Sequence, residues 1–288
     1  MKKTDNLTII LVAVFAALDI FVWHEVVFAG PDERGALYFL DVGQGDAELL
    51  VLPGGVKVLT DAGPDAAISR SLEGVLASTD RYIDLAVISH PQEDHYGGFN
   101  DLFRRYRFGA FVVNGRNADP ATGGAWDALL EKLTREHIPV ITLRGGDRIR
   151  YRDSRIDIVS PDDSFVWSGE LNDTGLVEHV HTPAWSALLA ADIGFNVEDY
   201  LVRHVDLRAD ILKVPHHGSK YSSSEELLRA VRPRLAVIEV GERNRYGHPT
   251  EETLARLAAS RVRVLRTDRS GTIRVVGEGG KLQVFADK

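Results

Sequence analysis

Ser89-His90-Pro91-Gln92-Glu93-Asp94-His95-Tyr96-Gly97-Gly98 follows the apolar run Ile83-Asp84-Leu85-Ala86-Val87-Ile88. β-prone residues that stop abruptly at a histidine, a proline, two acids and paired glycines predict a buried strand delivering polar groups at its carboxyl end. That is where α/β sheets keep their chemistry. His90, Asp94 and His95 fall within six positions, and imidazole and carboxylate donors together suit a borderline divalent ion such as zinc, with manganese or iron as alternatives. By itself the stretch reads equally well as a solvated surface turn. The rest of the chain removes that balance.

The same event recurs downstream. The apolar run Trp185 to Ala190 ends in Asp192, Ala209 to Pro215 ends in His216-His217-Gly218-Ser219, and the loop after Leu235 to Val240 carries His248. Upstream, Ala36 to Leu40 ends in Asp41-Val42-Gly43-Gln44-Gly45-Asp46, and a hairpin of 47–52 and 56–59 ends in Thr60-Asp61-Ala62-Gly63. A single Asp after an apolar strand is usually a turn former, and a His pair before Gly-Ser usually a loop. Their joint occurrence at strand ends favours one shared metal site.

Helices are predicted over 65–78, 96–106, 126–137, 198–204, 224–230 and 250–259. The third shows the i, i+3, i+4, i+7 pattern in Trp126, Leu129, Leu130 and Leu133. Further strands are predicted over 110–114, 140–143, 148–151, 156–159, 176–180, 262–265, 272–276 and 282–285. Hairpin-joined strands and strand-helix units alternate in both halves, which predicts an α/β (α+β) fold of two sheets with helices outside. Gly43-Gln44-Gly45 carries neither a P-loop nor a dinucleotide site, because it lacks the Lys-Ser/Thr pair and opens a hairpin rather than a helix.

With 288 residues, 44% of them hydrophobic, the chain can bury a full core. Its formal charge of -8 argues against a nucleic-acid coat or a polybasic membrane binder. A nuclease is compatible with it. Three arginine clusters (Arg104, Arg105 and Arg107; Arg148, Arg150 and Arg152; Arg243 and Arg245) read first as solvated faces. There is no cysteine, which excludes disulfides and thiolate ligands.

Met1-Lys2-Lys3 precedes an apolar run from Leu7 to Trp23 broken only by Thr8 and Asp19. At about 1.5 Å per residue it spans roughly 26 Å, a little less than a bilayer core. The reading is a membrane anchor over residues 1–29, a linker over 30–36 and a body over 37–288 outside the cytoplasm, since the lysines stay inside. The alternative is a cleaved signal, with Val27-Phe28-Ala29 before Gly30 as its site and a secreted body.

Leu40-Asp-Val-Gly-Gln-Gly-Asp46, Asp61-Ala-Gly63, Ser89-His-x4-His-Tyr-Gly-Gly98, Asn172, Leu188-x3-Asp192, Leu212-Lys-Val-Pro-His-His-Gly-Ser219 and Asn244-Arg-Tyr-Gly-His-Pro249 together resemble the metallo-β-lactamase-fold domain of ComEC-type competence proteins. The resemblance runs in order from about Leu37 to Val276. It implies a four-layer αββα sandwich with one or two divalent ions, Zn2+ in the first place and Mn2+ or Fe as alternatives, and hydrolysis of phosphodiesters, including single-stranded DNA. An ion of this kind lowers the pKa of water from 15.7 to about 7, supplying a hydroxide nucleophile at neutral pH.

Carried over, His90, Asp94, His95, Asp192 and His216 are the implied metal ligands. His217 becomes a neighbour contacting substrate or metal, and Asp94, His217 and His248 form the catalytic group. Asp41, Asp46, Asp61, Gln92 and Asn172 support them, with Asp61 holding a ligand histidine by its other ring nitrogen. The chain departs from the family at Gln92, where Asp or His is usual, and at Ala191, where Gly is usual. Gln is a weak, neutral donor, so a degenerate, non-catalytic metal- or phosphate-binding module is the alternative outside enzymes. A metallohydrolase on another ester, lactone or lactam is the alternative within them. A role in DNA uptake would require a separate channel protein.

Overall fold

Alternation of side chains along the strands sorts the apolar residues of this chain into three layers. The computed structural model describes residues 2–28, 34–119 and 124–288. After helix α1 (Lys2–Phe28), the first half runs β1 (Ala36–Phe39), β2 (Glu48–Val51), β3 (Lys57–Thr60), α2 (Ala67–Val75), β4 (Tyr82–Ile88), α3 (Glu93–Tyr96), α4 (Phe99–Leu102), β5 (Arg107–Val113), α5 (Ala125–Arg135) and β6 (Val140–Thr142). The second half runs β7 (Arg148–Tyr151), β8 (Ser154–Ser160), β9 (Val177–His181), β10 (Ser186–Leu189), α6 (Phe195–His204), β11 (Ile211–Lys213), α7 (Glu225–Val231), β12 (Leu235–Ile238), α8 (Glu251–Ala259), β13 (Arg263–Arg266), α9 (Thr267–Ser270), β14 (Ile273–Glu278) and β15 (Lys281–Ala286).

Among the described residues the strands form two sheets, ordered β15-β14-β1-β2-β3-β4-β5-β6 and β13-β12-β11-β10-β9-β8-β7. In each, one half is antiparallel and the other parallel: β3 to β6 in the first and β10 to β13 in the second. Leu37, Phe39, Val112, Leu235 and Val237 pack between the sheets. Their strand neighbours point the other way, Phe111 and Val113 beneath α5 with Trp126 and Leu129, and Ala236 and Ile238 beneath the helices of the second half with Leu201 and Leu228. Period-two alternation of this kind builds a helix-sheet-sheet-helix sandwich.

Two expectations need correction. The helix expected over 96–106 is split into α3 and α4 at Gly97-Gly98, so Asp94 and His95 sit on a helical turn. The cause is pairing with the loop after β3, where Gly98 N–H donates to the Gly63 carbonyl and the His95 carbonyl accepts Ala62 N–H; that approach is so close that a Cβ would lie 2.3 Å from the Pro64 carbonyl oxygen at Gly97 and 2.1 Å from that of Ala62 at Gly98. Only glycine fits there.

The amino-terminal run is helical, as α1, but among the described residues no helix is long and apolar enough to cross a membrane. The expected transmembrane anchor is therefore not supported. The cleavage site at Ala29-Gly30 and linker positions 30–33 lie outside the described residues.

Candidate metal centre

The parallel halves of both sheets end at one edge, and the predicted strand-end residues meet there. Asp61 follows β3, His90 follows β4, Asp94 and His95 lie on α3, Asp192 follows β10, and His216 and His217 lie on a 3₁₀ turn, Pro215–Gly218, after β11. Asp61, Ala191, His216 and His217 all have positive φ, of 57°, 44°, 51° and 51°. Left-handed backbone costs a non-glycine residue on the order of 1–3 kcal/mol and persists where surrounding contacts over-determine it. Here it turns the chain sharply at the strand ends.

Buried hydrogen bonds fix the histidines. Asp61 accepts the Ser89 amide at 2.8 Å and the Ser89 hydroxyl at 2.6 Å, and its Oδ2 also accepts His95 Nδ1–H at 2.7 Å. His217 Nδ1–H donates to the Glu239 carbonyl at 2.9 Å. Each bond leaves Nε2 facing inward. Asp192 Oδ2 lies 3.5 Å from His95 Nε2 and 3.5 Å from His217 Nε2, and Asp94 Oδ2 lies 3.7 Å from His217 Nε2. The His90 and His95 rings are 4.1 Å apart. The Nε2 atoms of His90, His95 and His217 are buried with no hydrogen-bond partner, an arrangement that is costly unless another group completes it. Imidazole nitrogens and carboxylate oxygens converging on one point fit a divalent ion.

The charges tell the same story. Burial disfavours protonation of His95, yet Asp61 and Asp192 outweigh it and hold its pKa well above the usual value. Burial is likewise outweighed at His217 by Asp192 and Asp46, which raise it. Burial opposes ionisation of Asp192, but the His217 and His95 cations hold its pKa far down. His90 goes the other way, to about 3, through burial and the neighbouring His95 cation. The carboxylates therefore favour positive charge between them, whether carried by protons on His95 and His217 or by a cation. Metal ligation requires neutral imidazole, so a bound ion and those protons exclude each other.

His216 stands apart from this group. It is 31% exposed, its Nε2 is 3.9 Å from Asp192 Oδ2, and it belongs to none of the compact His/carboxylate groups, whereas His217 does. Gln92 and Asn172 come together: Gln92 Nε2 donates to Asn172 Oδ1 at 2.6 Å, and Asn172 Nδ2 lies 3.2 Å from His216 Nε2. An amide chain thus runs along the rim beside His90. His248 meets His216 edge to face at 5.6 Å between ring centres, with its pKa lowered to about 4 by burial and by His216 and His217. Asp46 is buried against His217 Nδ1, 3.2 Å away. Asp41 is directed elsewhere, toward Lys288 Nζ at 3.2 Å.

Four buried charged residues on strands or at strand ends were not singled out from the sequence: Lys213, Glu48, Glu239 and Glu178. All carry the same signal, a charge within an apolar strand or at its end, as in Ile211-Leu-Lys213-Val and Ile238-Glu239-Val. Strand alternation puts them on the inter-sheet face, with Lys213 in phase with Ile211 and Glu178 in phase with Val180.

Known proteins share this architecture. Residues 40–241 match the model of the "Metallo-beta-lactamase superfamily". The chain is 27% identical over 259 residues to ComE operon protein 3 of Bacillus subtilis (strain 168), covering 83% of this chain and 33% of that protein. It is 28% identical over 295 residues to competence protein ComA of Neisseria gonorrhoeae, covering 95% of this chain and 39% of that one. The chain therefore spans only about a third of the length of these curated relatives. A metallo hydrolase from the archaeon Ignicoccus hospitalis superposes with a TM-score of 0.52 at 16% identity, covering 88% of this chain and all of that one, a likeness of fold. The fold implies divalent-metal binding and metallohydrolase chemistry, the donor set at the sheet edge fits both, and the chain belongs to the metallo-beta-lactamase superfamily.

Proposed function

We propose that this chain is a metal-dependent hydrolase of phosphodiesters, single-stranded DNA among them, with Asp94, His95, His217 and Asp192 holding the divalent ion. The observation that carries the reading is the set of buried, unpartnered imidazole Nε2 atoms facing two carboxylates. His90 Nε2 and the Gln92–Asn172 amides border the same centre, a weaker donor set for a second ion. When bound, the ion would lower the pKa of a water to about 7 and stabilise charge building on phosphorus. The chain's own residues do the rest. Asp61 and the Glu239 carbonyl orient His95 and His217, since ligand histidines need their second nitrogen fixed. A groove beside Asp94 is lined by Gln44, Arg243, Asn244, Arg245 and Tyr246, which supplies cations for a phosphate and an aromatic face for a base. His248 stands neutral near His216, positioned to hydrogen-bond a phosphoryl oxygen.

Asp94→Ala is the direct test. With the ion's ligand and the groove's inner wall both altered, cleavage of a bis-aryl phosphodiester and of single-stranded DNA should fall by more than about a hundredfold. Equal cleavage by the wild type and the variant would remove the mechanism.

We also infer that α1 associates the body with a membrane and that the body faces away from the cytoplasm. Leu7 to Trp23 expose apolar side chains on every side, Phe15 to 74%, and a surface of that size marks a protein or membrane contact. Protease added to intact cells should digest the body, whereas full protection would defeat this placement.

A further inference from the structure

Lys213 is the last residue of β11, at a central position of the second sheet between Leu189 and Val237. It is fully buried on the inter-sheet face. An ammonium has three hydrogens to place, and three oxygens surround this one. Nζ donates to the Asp46 carboxylate and, at 2.7 Å, to the Ala191 carbonyl, and it faces Asp192 Oδ1 at 3.5 Å. The Asp46 partner comes from the loop of the other sheet, so the pair ties the two sheets together beneath the centre. Beyond Asp46 lie Glu48 and Glu239, each with a buried, unpartnered Oε2.

The lysine divides the oxygens of Asp192. Oδ1 faces Nζ, whereas Oδ2 faces His95 and His217. It also occupies Asp46, which otherwise groups with Asp192 and His217 as a second set of converging donors, and with Glu48 and Glu239 as a third. Four carboxyl groups lie around one place in the interior, and the chain provides a cation of its own to the two aspartates among them.

Resting on the metal-dependent reading above, we propose that Lys213 is a positioning residue that acts as a built-in cation. It supplies the positive charge a further divalent ion would otherwise bring to Asp46 and Asp192, and it leaves Asp192 one oxygen for the working ion. The number of ions the centre holds is then set by a side chain inside an apolar strand.

The test is metal uptake by the full chain, with Mn2+ and Zn2+ in separate arms, for the wild type, Lys213→Met and Lys213→Arg. After equilibrium dialysis, Lys213→Met should retain one ion more per chain than the wild type, and Lys213→Arg, which keeps the charge, should match the wild type. A folded Lys213→Met with wild-type stoichiometry and affinity would overturn the proposal, as would an equal gain by Lys213→Arg. Should Lys213→Met unfold in chelator, recovery of its circular dichroism on adding the ion is the expected result, and no recovery at saturating ion counts against it. Failure of the wild type to take up either metal would instead refute the metal-dependent reading itself.

Discussion

His217→Ala should reduce both bound metal and hydrolysis by more than about a hundredfold, while His216→Ala retains its metal. The two residues are adjacent in sequence and both have φ of 51°, yet the contacts separate them. His217 is buried, its Nδ1–H is held by the Glu239 carbonyl, and its Nε2 lies among Asp94 and Asp192. Its loss removes an imidazole donor and leaves two carboxylates close together without a cation between them, a costly arrangement at low dielectric. His216 is 31% exposed and borders the Asn172 amide, so its loss should act on substrate and not on the ion. Metal content of the two purified variants, measured beside their phosphodiesterase activity, checks the pair. Loss of metal in His216→Ala with retention in His217→Ala would reverse the assignment.

The second large effect concerns stability. Glu178 lies between the sheets, accepts a 2.8 Å hydrogen bond from the Thr60 hydroxyl and has no partner for Oε2. Burial raises its pKa from 4.5 to about 7. The folded state therefore keeps a proton that the unfolded chain has released, so stability falls as pH rises through this window and levels off above it. The loss is on the order of 3 kcal/mol. Glu178→Gln keeps an oxygen for Thr60 and cannot ionise. Denaturant unfolding at about pH 5 and about pH 8 should show the variant gaining on the wild type by roughly that amount at the higher pH. An unchanged difference between the two pH values would show that Glu178 is already ionised in the fold, or reaches solvent.

Much of this architecture is written locally. Period-two alternation in runs such as Arg107 to Val113 and Leu235 to Ile238 fixes strands with two apolar faces, and such strands have to lie between a second sheet and a helix layer. Abrupt polar ends at Ser89-His90, Asp192 and Pro215-His216-His217 mark where the chemistry gathers, because a parallel sheet presents its carboxyl ends along one edge. The paired glycines at 97 and 98 looked like part of a helix. Their meaning depends on the carbonyls of Ala62 and Pro64 arriving from more than thirty residues away.

The same distinction governs the centre. Composition and spacing supply candidate ligands, but His216 and His217 are equivalent in sequence until the Glu239 carbonyl captures one ring nitrogen. Lys213 reads as an anomaly in an apolar strand until Asp46, 167 positions earlier, closes on it. Local patterns follow from the repeat of the backbone, which every residue carries with it. Which imidazole nitrogen faces the carboxylates, and which carboxylate is paired with the lysine, follow from contacts between segments remote in the chain, and those exist only once the two sheets have packed.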